Sequence, residues 1–193
     1  MKPEKINNEK RRQIKDTLTE QMMSHPLMMF YCPEKSKREK FINDYLDYYL
    51  CSWVKYGEAY LGDEGKVLAS LVSTGAFEYK FSGKHAVKMK LNKNSYRIFI
   101  HRESVEGITS IIVPENIEAR VLNIYGFYNE SRSEAERLVD EIMTHARERG
   151  FAIVYETFSR RFIPIMQSKG FEIAYQKQFL DTQFVQTVMT YNI

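Results

Sequence analysis

The second half of the chain alternates between apolar runs of strand length and apolar positions at helical spacing. Residues 119–127 predict a buried strand, and the apolar positions that follow recur every three or four residues up to Gly150, which predicts an amphipathic helix. The continuous apolar run 151–157 predicts a second buried strand. The remaining predicted elements are a short helix at 160–168 and closing strands at 171–175 and 185–191.

The first half predicts two helices followed by a hairpin. Apolar residues four apart predict a helix over 8–24, which His25-Pro26 would end. Ser36 and Glu39 have the spacing of a capping box for a second helix, which would end at Gly57. Two apolar segments on either side of residues 63–65 then predict a β-hairpin. Residues 95–113 are apolar enough to pack, either as a helix or as a strand.

The composition is that of a folded protein, and we expect one domain over residues 1–193, since 44% of the residues are hydrophobic. Cys32 and Cys51 lie among apolar residues and fit no metal spacing, which favours reduced, buried thiols and points to the cytoplasm. The four histidines are scattered, so we expect no metal site. No apolar run approaches the roughly 20 residues of a membrane span, and we expect no membrane partner.

One segment of the chain is locally basic, although the net charge is only +3. A solvated face is the usual role of such a segment, and contact with an anionic ligand is the alternative. Nucleic acid is disfavoured as a partner because no interleaved stacking aromatics accompany the charges. The basic residues are Lys80, Lys84, Lys88, Lys90, Lys93, Arg97 and Arg102.

The junction between the strand 119–127 and the helix that follows it has the architecture of an anion site. A helix N-terminus offers backbone N–H groups and the positive end of the helix dipole. Phosphate-binding loops usually contain glycine, which lets the ligand approach the backbone. Here the loop has none, and its serines predict capping boxes that would occupy those N–H groups. The two predicted boxes are Ser131 with Glu134 and Ser133 with Glu136.

Two local patterns, together with the order of elements, resemble the GNAT superfamily of acyl-CoA-dependent N-acyltransferases. The first is the front segment 25–73, with helices leading into a hairpin, and the second is KGFEIAY at 169–175. The resemblance implies an α/β domain of GNAT type, with a mixed, mostly antiparallel sheet flanked by helices. It also implies acetyl-CoA or another acyl-CoA as co-substrate and a small-molecule or protein amine as acceptor. Whether the protein forms a homodimer stays an open question.

The resemblance also implies which residues would contact the acyl-CoA. The backbone of the first strand would pair with pantetheine, the loop after it would face the pyrophosphate, and a polar residue after the second strand would lie near the pantetheine. The implied cofactor-binding residues are Ile124, Tyr125, Phe127, Ser131, Arg132, Ser133, Ala135 and Ser159.

The chain departs from the GNAT pattern where the chemistry would occur. Glu130 replaces a basic or amide residue and Ser133 replaces a glycine, which leaves Arg132 as the residue that could compensate. The usual general-acid tyrosine is Met166, and a thioether cannot donate a proton.

The candidate acid–base residues are Glu156 and Tyr155, near the end of the strand 151–157. The alternative is a solvated carboxylate for Glu156 and a packed ring for Tyr155.

Three functions therefore stay open. The first is transfer of an acetyl or other acyl group from acyl-CoA to an amine. The second is a GNAT-like fold that has lost catalysis and serves as a binding or interaction protein, which the departures favour. The third is contact of the basic segment with nucleic acid or an acidic protein.

Overall fold

The chain forms a six-stranded sheet with helices on both faces. The structure, a computed structural model, describes residues 7–62, 66–74, 95–126, 131–180 and 182–193, without the side chains of 51–56, 95 and 99. The helices in these ranges are α1 (Asn8–Met22), α2 (Pro26–Tyr31), α3 (Lys35–Tyr56), α4 (Ser95–Ile112), α5 (Arg132–Arg149) and α6 (Phe162–Ser168). The strands are β1 (Gly57–Gly62), β2 (Val67–Ser73), β3 (Ala119–Tyr125), β4 (Ala152–Thr157), β5 (Glu172–Gln178) and β6 (Val185–Tyr191).

The sheet is mixed and mostly antiparallel. Its strand order is β1-β2-β3-β4-β6-β5, and among these pairs only β3 and β4 run parallel. Because the chain crosses from β3 to β4 through α5, the carboxyl ends of both parallel strands lie at the same edge of the sheet.

The two faces of the sheet are covered by different helices. On one face, α5 and α6 bury apolar side chains such as Leu138 and Met166 against Leu122 and Ile153. On the other, α1, α2 and α3 form a core with β1 and β2, and α4 packs Ile108 against β3, β4 and β6. No helix in the described ranges is long and apolar enough to cross a bilayer.

Most predicted elements are confirmed, and the exceptions lie in the front half. α2 is an additional helix, because Pro26 occupies its first turn, where the missing N–H costs nothing. Residues 95–112 are a helix. The cap predicted at Ser36 is wrong: α3 begins at Lys35, and the Ser36 hydroxyl donates to Glu34 at 3.2 Å. The hairpin pairing is confirmed, while its turn at 63–65 lies outside the described residues.

Gly126 ends β3 in a conformation that only glycine adopts easily. Its φ is +102°, and a Cβ there would lie 2.4 Å from the carbonyl oxygen of Lys66. Both the left-handed φ and the close approach of β2 therefore exclude a side chain. Gly126 fixes the direction in which the chain leaves β3.

We expect Gly126→Ala to lower the free energy of unfolding by about 2 kcal/mol or more, because strain and a backbone clash add. Gly107→Ala is the control, since Gly107 lies in α4 and a Cβ there meets no atom within 4 Å. That change should raise stability by up to about 1 kcal/mol through helix propensity. Urea denaturation of both variants measures the difference, and equal effects would contradict the assignment.

Candidate functional site

The parallel strands β3 and β4 part before they end. Their pairing runs from Ala119 opposite Ala152 to Leu122 opposite Tyr155, but β3 continues to Tyr125 and β4 to Thr157. Each strand keeps its other neighbour over this stretch, because β3 pairs with β2 and β4 pairs with β6 to the end. The sheet therefore opens between its two parallel strands at their carboxyl ends.

A cavity fills this opening and extends beneath the helices of the front face. The space between atoms here is about 930 Å³, a figure that includes open solvent at the mouth. Its walls are mostly aromatic and apolar, with a small number of polar groups, which is typical of a small-molecule site. It is lined by His25, Leu27, Tyr31, Tyr45, Tyr49, His101, Arg102, Val105, Val121, Leu122, Asn123, Ile124, Tyr125, Tyr155, Glu156, Thr157, Phe158 and Phe162.

A chain of hydrogen bonds lies at the point where the strands part. His101 Nε2 lies 2.9 and 2.7 Å from the two carboxylate oxygens of Glu156, and His101 Nδ1 lies 2.5 Å from the hydroxyl of Tyr31. The side chains of His101 and Glu156 are each 11% exposed. This chain of hydrogen bonds joins the end of α2, the middle of α4 and the end of β4.

The chemistry of these groups fixes where the protons lie when Glu156 is ionised. A carboxylate only accepts hydrogen bonds, so Nε2 of His101 carries a hydrogen. In the neutral imidazole, Nδ1 then accepts from the hydroxyl of Tyr31; in the imidazolium, Nδ1 donates to it. The arrangement holds His101 in either protonation state without breaking a contact, which is what a group that exchanges protons requires.

Glu156 has a second neighbour on its other side. Gln186 donates its amide to Glu156 Oε1 at 2.6 Å, and the amide oxygen of Gln186 accepts from Ser104 at 3.1 Å. Because Gln186 is buried and Ser104 lies one turn beyond His101 on α4, these contacts tie α4 to β6 as well as to β4. The carboxylate is therefore held in one orientation.

Aromatic rings pack around the His101 imidazole. The ring centroids of Tyr31, Phe158 and Phe179 lie 5.7, 5.7 and 5.6 Å from that of His101. Arg97, one turn earlier on α4, donates to the carbonyl oxygen of Phe30 at 2.6 Å. These contacts position the imidazole by shape as well as by hydrogen bonds.

Three tyrosines of the cavity, Tyr31, Tyr45 and Tyr125, stay protonated at neutral pH. Burial raises the pKa of Tyr31 and Tyr45 well above 10, and nearby tyrosines raise it further. Burial raises the pKa of Tyr125 to about 12, although a hydrogen bond from Tyr45 opposes the shift. The tyrosines therefore contribute rings and neutral hydroxyls to the cavity and no charge.

His25 lies on the cavity wall as a neutral imidazole. It caps α2, because its Nδ1 accepts from the backbone N–H of Leu27 at 3.3 Å. Burial lowers the pKa of His25 to about 4; the negative charge of Glu156 opposes the shift, and His101 adds to it. At physiological pH His25 therefore adds a polar but uncharged group.

The structure brings four of the predicted site residues to the cavity. Ile124, Tyr125, Tyr155 and Glu156 all line it. Ser159 is not among the described lining residues, and its backbone N–H donates to Thr157 Oγ1 at 3.1 Å in the turn after β4. The predicted residue Phe127, like Glu130, lies outside the described residues.

Tyr155 was predicted either as an acid–base residue of the site or as a packed ring, and the structure shows features of both. It lines the cavity, yet it is only 4% exposed and packs edge-on against Phe171, at 6.3 Å between ring centroids. This packing favours a structural role for Tyr155 and leaves Glu156 as the acid–base candidate.

The predicted capping boxes at the start of α5 do not form. Ser131 occupies the N-cap position without a side-chain cap hydrogen bond, and Ser133 lies inside the helix. Glu134 accepts from Arg137 at 2.7 Å, and Glu136 accepts from Arg132 at 2.6 Å. The serines thus do not cap the helix, and both carboxylates carry a cationic partner.

Ala135 and Met166 both lie in the core behind the sheet. Each is fully buried in the cluster that α5 and α6 form against the strands. Ala135 allows α5 to pack closely on the sheet. Met166 is one of the apolar residues that hold α6 in place.

The two described members of the basic segment make intramolecular contacts. Arg97 binds the backbone of α2 and lies 5.5 Å from the ring centroid of Phe30, and Arg102 pairs with Glu106 at 2.7 Å. The other basic residues, from Lys80 to Lys93, lie outside the described residues.

Sequence reasoning missed His101 and three tyrosines of the cavity, Tyr31, Tyr45 and Tyr49. His101 was set aside as one of four scattered histidines, because it has no metal-ligand spacing. The signal is its position on α4. His101 recurs at helical spacing with Ile98, Val105 and Ile108, so all four lie on the same buried face of the helix. A histidine on a buried helical stripe needs a polar partner, and Glu156 provides it.

Comparison with solved structures identifies the fold. No protein-family model and no curated protein sequence matches the chain. It is similar to the C-terminal condensation domain of Ebony, solved in complex with β-alanyl-dopamine, with a TM-score of 0.59 and 13% identity over 97% of this chain and 96% of that one.

Two acetyltransferase structures give similar results. An agmatine N-acetyltransferase matches with a TM-score of 0.54 and 12% identity over 96% of each chain. A polyamine N-acetyltransferase of Drosophila melanogaster matches with a TM-score of 0.53 and 13% identity over 94% of this chain and 96% of that one. The chain has the GNAT fold, which confirms the predicted fold class.

We expect His25 to make the protein less stable in acid. Its pKa lies below that of a free histidine, so between pH 6.5 and about 4 the unfolded chain binds more protons than the folded one. Stability should be highest above pH 6.5 and fall by about 3 kcal/mol as the pH drops to 4. His25→Asn keeps a capping side chain that does not titrate. Urea denaturation of both proteins at pH 7, 5 and 4 should show the extra loss in wild type alone; parallel losses would contradict it.

Proposed function

We propose that the chain is an acyl-CoA-dependent N-acyltransferase that transfers an acetyl or related acyl group to an amine. The observation that carries the proposal is the opening between β3 and β4 with the Glu156–His101 pair at its base. An opening at the carboxyl ends of parallel strands is where α/β sheets bind ligands. The agmatine and polyamine N-acetyltransferases with this fold support the same class of reaction.

The residues around the opening suit the pantetheine arm of an acyl-CoA. When bound, acyl-CoA would supply an acyl group activated as a thioester. The edge of β3 at Ile124 and Tyr125, where the pairing with β4 has stopped, would hydrogen bond the amides of the arm. Phe162, from the start of α6, would add apolar contact.

The start of α5 would hold the pyrophosphate. It follows β3, so its N–H groups and dipole lie at the same edge as the opening. The carboxylates of Glu134 and Glu136 are paired with Arg137 and Arg132, which reduces the repulsion that the sequence alone suggests. Glu134 also packs against Gly62 of β1 and occupies the space that a side chain at position 62 would need. Arg132, exposed on the first turn, is the cation that would contact the phosphates.

The Glu156–His101 pair would take the proton that the amine must lose. A carboxylate offers about four acceptor sites. On Glu156, the single Nε2 hydrogen of His101 is shared between both oxygens and Gln186 donates to Oε1, which leaves acceptor capacity for the amine. The bound ammonium would first lose one proton to the pair, which would pass it to water. As the neutral nitrogen then bonds to the acyl carbon and the carbon–sulfur bond breaks, the pair would take the second proton from nitrogen. Tyr31 stabilises His101 in either state.

The buried position of Met166 is compatible with this chemistry. A thiol has a pKa of about 8.5, so the thiolate leaves readily and takes a proton from water. Met166 lies in the core and has no part in the step. A dedicated general acid would increase the rate without being indispensable.

The alternative is a GNAT-fold protein that binds without catalysing. The absence of glycine between Gly126 and α5 and the presence of Met166 favour it. Acetyl-CoA separates the two: the transferase requires thermal stabilisation of the protein by this ligand, and no shift at millimolar concentration would exclude it.

We expect Glu156→Gln to lower kcat/KM for an acceptor amine about 100-fold at pH 7.5, because glutamine keeps the shape but cannot accept the proton. The release of free thiol from acetyl-CoA measures the rate. The Kd for acetyl-CoA should stay within about twofold of the wild-type value, since the change removes chemistry and leaves donor binding. Unchanged turnover in the variant would exclude Glu156 as the base.

We expect Ser133→Glu to weaken acetyl-CoA binding about tenfold, because a second carboxylate in the first turn of α5, beside Glu134, repels the pyrophosphate. The helix itself tolerates an acidic residue there. Thr144→Glu is the control, since it adds the same charge to an exposed site about 17 Å further along α5. Calorimetry should show weakening in Ser133→Glu alone, and equal affinities would place the pyrophosphate elsewhere.

A further inference from the structure

We infer that the acceptor is a monoamine with an aromatic or similarly bulky apolar body. The inference rests on the proposed function and concerns the part of the cavity beneath α2, α3 and α4. Three features carry it: the rings that form the walls, the engagement of their hydroxyls, and the distribution of charge.

Aromatic rings from different elements face the same space. Tyr31 lies at the end of α2, and Tyr45 and Tyr49 lie one turn apart on α3. The ring centroids of Tyr45 and Tyr49 are 4.2 Å apart, and those of Tyr31 and Tyr45 are 5.8 Å apart. Phe158 adds a ring from the turn after β4. A flat apolar group between such walls gains both burial and ring–ring contact.

Two of the tyrosine hydroxyls are already engaged within the protein. Tyr31 is hydrogen-bonded to His101, and Tyr45 is hydrogen-bonded to Tyr125. A ligand therefore meets the ring faces of these residues, and a hydroxyl-rich ligand such as an amino sugar would lose its water without full compensation.

The charges of the cavity suit one ammonium group. Glu156 is the sole carboxylate among the described lining residues. His25 is neutral at physiological pH, and the positive charge of Arg102 is paired with the carboxylate of Glu106. The reacting nitrogen would lie at Glu156, so a second ammonium at the far end of a diamine would enter the apolar part of the cavity without a partner.

The test compares acceptors at saturating acetyl-CoA. We expect kcat/KM for 2-phenylethylamine to exceed that for 1,4-diaminobutane and for glucosamine at least tenfold, since each of the latter carries polar groups that the walls do not satisfy. Equal or better use of either acceptor would overturn the inference while leaving the transferase function in place.

Tyr49→Ala tests the wall itself. Tyr49 is half-buried, and it is not part of the hydrogen-bonded chain at Glu156. We expect the ratio of kcat/KM for 2-phenylethylamine to that for propylamine to fall about fivefold in the variant. A change of this size corresponds to the loss of one ring contact. Tyr49→Phe should keep the preference. If the alanine variant does not fold, Tyr49→Leu, which retains bulk without a ring, provides the same comparison. A ratio that stays constant in the folded variants would overturn the inference.

Calorimetry of 2-phenylethylamine without a donor separates the two proposals. Binding that weakens in Tyr49→Ala supports the acceptor class even if no amine is acetylated, in which case it is the proposed function that fails. No binding at millimolar amine, with or without CoA present, would overturn the acceptor class.

Discussion

The pairing between β3 and β4 stops after Leu122 and Tyr155, and the rest of the site depends on that break. Both strands continue, held by their outer neighbours β2 and β6, so the sheet stays intact while its centre opens. A ladder that continued to the ends of both strands would bring β3 and β4 together where the cavity now lies. The opening also leaves the edge of β3 at Ile124 without β4 as a neighbour, which a closed sheet would not.

The polar groups at this opening are precise because they are joined across distant elements. Glu156 is fixed from one side by His101 of α4 and from the other by Gln186 of β6. α4 is in turn fastened to α2 through Arg97 and to β6 through Ser104. A carboxylate and an imidazole in a largely apolar cavity are costly unless they are paired. Here the hydrogen bonds between them offset that cost, and the carboxylate keeps acceptor capacity for an amine.

The parts of the fold with local signals could be predicted from the sequence. α5 has apolar residues at helical spacing and ends at Gly150, whose φ of +73° is typical of a helix terminus. Glu156 stood out as a titratable group at the end of a buried strand. Its partner did not, because His101 precedes it by 55 residues and only the packing of α4 on the sheet brings them together. The pairing of charges at the start of α5 was missed for a related reason. Arg132 pairs with Glu136 and Arg137 with Glu134, and the sequence spacing does not distinguish such pairs from capping boxes.

The central claim is that the opening between β3 and β4 receives the pantetheine thiol beside Glu156 and His101. A crystal structure of the chain with CoA tests it most directly. The account predicts that the pantetheine arm lies along β3 at Ile124 and Tyr125, with its sulfur near the Glu156–His101 pair and the pyrophosphate at the start of α5. CoA bound at another surface, with the opening filled only by solvent, would contradict it.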